Sequence, residues 1–188
     1  GYADGSRNDL VRHLREKGFP DEIILEAGVA AFDEKRGLHD KFWNRVMYPI
    51  MDVTNKVIGF GGRVMGDGKP KYLNSPETPV FDKSRNLYGL NIARKSRKPY
   101  LIVCEGYMDV IAVNQAGFEN AVATLGTAIT PAQARLIKRN ADEVIIAYDS
   151  DGAGQTATRK AISHFSDVGL KTKILRMDGA KEPGEYIQ

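Results

Sequence analysis

One cysteine, one tryptophan and three histidines in 188 residues leave several kinds of chemistry without their ligands. Cys104 cannot close an internal disulfide, and its place at the end of an apolar run marks a buried thiol. His13, His39 and His164 are scattered, so no Cys/His set has zinc spacing and no zinc is expected. No apolar run nears the roughly 20 residues of a membrane-spanning helix, and no secretory leader is seen. An intracellular protein without a membrane partner is the expectation. Internal repeats and low-complexity stretches are lacking too, so the fold is not a stacked array.

What is present suits a globular chain of one domain or two small ones, with apolar content of 42% and charged content of 27%. A net charge of +3 hides an asymmetry. Residues 1–99 hold 18 Lys/Arg against 13 Asp/Glu, or +5, and residues 100–188 hold 9 against 11, or −2. Within 56–98 the ratio sharpens to 10 against 3. A basic half joined to an acidic one suits a metal-dependent enzyme acting on a polyanion, although a solvated basic face fits the count equally well.

The acidic half alternates strand and helix. Tyr100–Cys104, Ala121–Thr124, Val144–Tyr148 and Thr172–Arg176 read as strands. Helices are expected over Tyr107–Gln115, with Met108, Ile111 and Ala112 inward, from Thr130 onward, and over Gly152–Val168, with Ala157, Ala161, Phe165 and Val168 inward. Thr130-Pro131-Ala132-Gln133 combines a capping box with proline at the first helical position. Such a βαβ series implies a parallel sheet with helices on its faces. Met177–Gln188 is expected to be a loop.

The basic half is less regular. Helices are expected over Asn8–Lys17 and Asp21–Ala27, the latter with Ile24 and Leu25 inward. Val46, Tyr48 and Ile50 alternate, and Val57, Ile58 and Phe60 resume after Thr54-Asn55-Lys56, which predicts a hairpin. Gly59, Gly61 and Gly62 weaken the strand there and leave Arg63 at a bend. Residues 66–86 read as loop, in which Lys69, Lys71, Lys83 and Arg85 interleave with Tyr72 and Phe81, a pattern that suits phosphate contacts and base stacking. A short helix near Gly89–Ser96 precedes a boundary at Lys95–Pro99. This divides the chain into a basic α+β subdomain, 1–98, and an α/β subdomain, 99–188.

Chemistry is expected where strands end in acids. Leu101-Ile102-Val103-Cys104 runs into Glu105, with Asp109 one turn later, and Val144–Tyr148 runs into Asp149-Ser150-Asp151. Acids at the carboxyl ends of parallel strands lie where open α/β sheets bind ligands. Clustered carboxylates require a cation or protons, and a hard ion such as magnesium fits an all-oxygen set. Helix capping accounts for an acid ahead of a helix as well, so Asp151 before Gly152 suits either role. Gly152-Ala153-Gly154 fits close helix–sheet packing or backbone capture of a phosphate oxygen.

Glu105-Gly106-Tyr107-Met108-Asp109-Val110 and Asp149-Ser150-Asp151-Gly152-Ala153-Gly154 resemble the Toprim signature of bacterial DnaG-type primases. Lys71-Tyr72-Leu73-Asn74-Ser75-Pro76-Glu77-Thr78-Pro79 and Leu87-Tyr88-Gly89-Leu90 resemble the block that precedes it in that family, so the likeness covers nearly the whole chain. It implies a Toprim parallel sheet behind a smaller basic subdomain, and RNA primer synthesis on single-stranded DNA during replication. Two or more Mg²⁺ or Mn²⁺ ions are implied at Glu105, Asp149 and Asp151, with Asp109 and Glu182 as further ligands. Arg63, Lys71, Tyr72, Asn74, Lys83 and Arg85 match the basic block and are implied to grip template, primer or ribonucleoside triphosphate. Lys181-Glu182-Pro183-Gly184-Glu185 resembles a third acidic motif, but Gly184 stands where its second acid is expected.

The resemblance further implies a monomer in the bacterial cytoplasm at the nucleoid. It implies a zinc module before the core and a domain after it that binds the replicative helicase. Neither is in this sequence, which therefore reads as an excised catalytic core. Two other readings stand beside it. One is a Toprim nuclease using the same acids; the other is a single-strand-binding module without catalysis.

Overall fold

The computed structural model describes residues 1–177, 179–180 and 182–187. The chain separates into two compact units, one of Gly1–Ile50 with Val57–Asp82, the other of Met51–Lys56 with Lys83–Gln188.

The first unit begins with strand β1 (Tyr2–Ala3), helices α1 (Asp9–Glu16) and α2 (Asp21–Glu26), and the antiparallel pair β2 (Ala30–Asp33) and β3 (Gly37–Asp40). Strands β4 (Arg45–Met51), β5 (Val57–Val64) and β6 (Tyr72–Asn74) follow. A four-stranded sheet has the order β1-β4-β5-β6. Helix α1 has no side-chain cap from Asn8. Asp40 at the end of β3, buried at 4% exposure, instead accepts from the first-turn amides of Leu10 (2.9 Å) and Val11 (2.8 Å). Val11, Ile24 and Ala30 then close a small core.

Several expectations change in this unit. Leu25 is exposed, and Ile24 alone of the two faces inward, because the short α2 presents only one buried position. The β2–β3 pair was not expected from the sequence. Strand β5 runs straight through Gly59, Gly61 and Gly62. A Cβ at Gly59 would meet the Phe81 ring at 3.0 Å, and one at Gly62 would meet the Arg45 Cδ at 2.9 Å. The glycines admit large side chains against the strand; they do not break it. Within the expected loop, Tyr72–Asn74 pairs with β5 as β6.

The second unit contains α3 (Leu90–Ala93), β7 (Tyr100–Cys104), α4 (Tyr107–Gln115), β8 (Ala121–Ala123), α5 (Pro131–Lys138), β9 (Glu143–Ala147), α6 (Gly152–Asp167), β10 (Lys171–Ile174) and α7 (Pro183–Tyr186). Its sheet has the order β10-β9-β7-β8 with every pair parallel, as the βαβ pattern predicts. Val103, Val144 and Ile146 from the strands meet Ile137, Ala161 and Phe165 from α5 and α6 in the main core. The capping box at α5 forms as expected, with the Thr130 hydroxyl accepting from the Gln133 amide at 3.1 Å. The buried Gln133 side chain also donates to the carbonyls of Lys83 (2.9 Å) and Asn86 (2.8 Å).

That amide, with Leu87, Leu90 and Ala93 in the core, packs residues 83–93 into the second unit, ahead of the division expected after Lys98. On α4 the buried positions are Tyr107, Val110 and Val113, whereas Met108, Ile111 and Ala112 are half-buried. The helix is rotated by about one residue from the expected face. The terminal stretch is not all loop, since Pro183 at the first helical position starts α7.

Candidate metal and nucleic-acid site

Strands β7 and β9 are adjacent and parallel, with Cys104 level with Ala147. Glu105 leaves β7 directly, and Asp149 follows β9 after Tyr148, so both acids emerge from one edge of the sheet. The Glu105 Oε1 accepts from the Asp149 amide at 3.2 Å. Asp151 is the N-cap of α6 and its Oδ1 accepts from the Gly154 amide at 2.8 Å. Asp109, in the first turn of α4, accepts from the Gly106 amide at 3.2 Å. Glu182 is the N-cap residue of α7, and Lys181 of the same motif lies outside the described residues.

These acids lie within electrostatic reach of one another. Burial pushes the Glu105 carboxyl up, and the charges of Asp149, Asp151 and Asp109 add to the rise. Burial likewise pushes Asp109 up to about 6 against the pull of the Gly106 amide, helped by Asp149 and Glu182. The neighbouring Tyr148 phenol is raised by burial and then by Glu105, and burial raises the Cys104 thiol. Cys104 is therefore the inert buried thiol its position suggests.

The donor set fits a divalent cation in chemistry: carboxylate oxygens gathered at one sheet edge repel one another when ionised and are relieved when a hard cation enters. Each hydrogen bond described engages one oxygen, Oε1 of Glu105, Oδ1 of Asp151 and Oδ2 of Asp109, of a group that has two. Among the described residues, however, no three His, Cys, Asp or Glu side chains converge closely enough to form a ready ion cage.

Close packing, not phosphate capture, accounts for Gly154. A Cβ there would collide with the Asp149 carbonyl oxygen and lie 2.8 Å from the Glu105 Oε1. Its amide is also committed to Asp151. The glycine lets the start of α6 approach both acids.

The basic candidates divide between the units. In the first, Arg63 on β5 pairs in register with Tyr72 on β6, and Gly61 with Asn74. Arg63 is half-buried, not simply exposed at a bend, and its Nε is buried without a hydrogen-bond partner among the described residues. Lys71 places its Nζ 5.7 Å from the centre of the Tyr72 ring. Arg63, Lys69 and Lys71 line one open depression with Gly66, Gly68 and Pro70. Lys83 and Arg85 belong to the second unit.

Two features important to this arrangement were not singled out from the sequence. Gln133 appeared only as a capping residue, yet it ties down the backbone that carries Lys83. Arg45 gave no signal beyond its charge; a cation inside an alternating strand was the available clue.

The family described as "DNA primase catalytic core, N-terminal domain" matches residues 1–94, and the Toprim-like family matches residues 102–187. A DNA primase of Clostridium acetobutylicum is 45% identical over 189 residues, which cover 100% of this chain and 32% of the relative. The chain thus spans about a third of the length of that curated relative. A DnaG primase catalytic domain bound to single-stranded DNA superposes with a TM-score of 0.89 at 37% identity, over 100% of this chain and 62% of that one. The zinc-binding and RNA polymerase domains of Aquifex aeolicus primase give a TM-score of 0.90 at 38% identity, over 100% and 47% respectively.

Proposed function

The chain belongs to the DNA primase catalytic core family, and from that premise we propose that it carries the catalytic core of a primase, making short RNA primers on single-stranded DNA in replication. The observation that carries this reading is the register of β7 and β9, which delivers Glu105 and Asp149 from one sheet edge beside the α6 N-terminus. Glu105, Asp149 and Asp151 hold the ions, and Asp109 and Glu182 adjust the charge around them. Two or more bound Mg²⁺ or Mn²⁺ ions would supply a lowered 3′-hydroxyl pKa and neutralise charge on the transferring phosphate.

The protein's own contribution is positioning and electrostatics. Gly154 keeps the α6 start close to Glu105 and Asp149, and the Gly106 and Gly154 amides orient Asp109 and Asp151. Arg63, Lys71, Tyr72, Asn74, Lys83 and Arg85 bind phosphates of template, primer or ribonucleoside triphosphate, with Tyr72 offering a stacking face. Residues 1–98 thereby serve mainly for grip and 99–188 for chemistry. The core works in the bacterial cytoplasm with the replicative helicase. No helix among the described residues is long and apolar enough to cross a membrane.

The test is incorporation of labelled ribonucleotides on a primed single-stranded template. Incorporation that requires Mg²⁺ or Mn²⁺ and stops on chelation is expected. Template cleavage without nucleotides would replace this reading with a nuclease. The separation of the acids favours one second reading, a single-strand-binding module without catalysis. Metal-independent binding with no incorporation would establish it.

A further inference from the structure

Arg45 is a charged residue only 3% exposed at the start of β4, outside the set of nucleic-acid candidates. Burying a guanidinium is costly unless its donors are satisfied. Here Nη1 donates to the Gly62 carbonyl at 3.3 Å and Nη2 to the Pro70 carbonyl at 2.9 Å. Gly62 directly precedes Arg63, and Pro70 directly precedes Lys71. One planar fork thus holds the backbone behind both cations. Gly62 makes room for it, since a Cβ there would stand 2.9 Å from the Arg45 Cδ.

Asn44 continues the brace. Its Nδ2 donates to the Met65 carbonyl at 3.3 Å, and its own carbonyl accepts from the Met65 amide at 3.1 Å. The Val64 amide donates to the Lys71 carbonyl at 3.0 Å and closes the ladder. The loop between these ties contains Gly66, Gly68 and Pro70 and has little apolar content to order it. Without the ties, its backbone entropy would have to be given up on binding.

We propose that Arg45 is a positioning residue that presets Arg63 and Lys71 for phosphates of single-stranded nucleic acid, with no contact to the nucleic acid itself. The inference rests on the reading that this basic block grips nucleic acid.

A double-mutant cycle tests it, by fluorescence anisotropy of a labelled single-stranded oligonucleotide over a range of salt. Arg45→Lys keeps the charge, but an ammonium has no fork to reach both carbonyls. The expected result is about tenfold weaker binding, the scale of one lost charge-assisted contact. The salt slope should also fall by roughly 0.7, as if one phosphate contact were gone. Arg45→Lys added to the Arg63→Ala, Lys71→Ala pair should bind within about twofold of that pair alone, because Arg45 acts only through those two contacts. Effects that add, or an unchanged salt slope, overturn the inference while the basic-block reading stands. If Lys71→Ala binds as the parent does, this inference fails; if Lys83→Ala does so as well, the basic-block reading fails with it. Should Arg45→Lys not fold, Asn44→Gly enters the same cycle; it removes the side-chain tie to the Met65 carbonyl and suits the positive φ of 49° at this residue.

Discussion

In the second unit the acids leave the ends of buried parallel strands, whereas in the first the cations ride on an antiparallel ladder and the loop that joins β5 to β6. Carboxylates at strand ends inherit their placement from the sheet core, and burial raises the carboxyls of Glu105 and Asp109. Arg63 and Lys71 depend on side-chain-to-backbone ties from Arg45 and Asn44. On the proposed function, the ion-holding groups are built on core strands and the polyanion-gripping pair Arg63 and Lys71 on a braced ladder and loop. Substitutions in the first set should therefore act on chemistry, and those in the second on affinity.

Glu105→Gln should break that contrast most visibly. It keeps shape and removes charge, so the melting temperature should change little while ribonucleotide incorporation falls by about 10³-fold, or roughly 4 kcal/mol. Near-normal incorporation by the folded variant would remove Glu105 from the ion site.

Gly154→Ala should affect both stability and chemistry. The new methyl collides with the Asp149 carbonyl and the Glu105 carboxylate, so a loss of about 1–3 kcal/mol in denaturant unfolding is expected, with reduced incorporation. An unchanged unfolding midpoint would show that the α6 start yields freely.

Lys71→Ala in the first unit, with Lys83→Ala at a cation of the second, sharpens the affinity side. Each should weaken single-stranded DNA binding and lower the log–log salt slope by roughly 0.7, with Mn²⁺ affinity at the acids unaltered. Parent-like binding by both variants would make the block a solvated face.

Asp109 separates the two sides by pH. Its carboxyl lies at about 6, above the ordinary 3.8, so the folded chain holds this proton more tightly than the unfolded chain. No stability is lost to this group below about pH 4; the loss grows as pH rises toward 6 and is complete above it. Thermal melts in chelator should show this decline, and Asp109→Asn should flatten it. Equal slopes in parent and variant would contradict the shift.

The smallest effect is expected at Gly184. A Cβ there would meet the Ala112 methyl at 3.8 Å, an ordinary contact, so Gly184→Asp is accommodated. Its added charge should tighten a weak peripheral Mn²⁺ and leave the tighter ion nearly unchanged in isothermal titration. Identical isotherms would place residue 184 outside the reach of the ions.

The parallel sheet, the order of its helices and the strand-end positions of Glu105 and Asp149 were all legible in the chain, because apolar period, capping chemistry and strand-terminal acids are local signals. The N-terminal pair β2–β3, the passage of β5 through three glycines and the pairing of Tyr72–Asn74 were not. The β2–β3 hairpin gave no clean alternation, and the other two depend on partners further along the chain, such as Phe81 filling the space over Gly59. The same reason separates the site residues. An acid at a strand end announces itself, but Asp40 capping α1 from β3, Gln133 securing Lys83, and Arg45 holding the backbone behind Arg63 and Lys71 do not. Their side chains satisfy backbone groups that only the folded chain brings within hydrogen-bond distance, and no spacing rule encodes such a meeting.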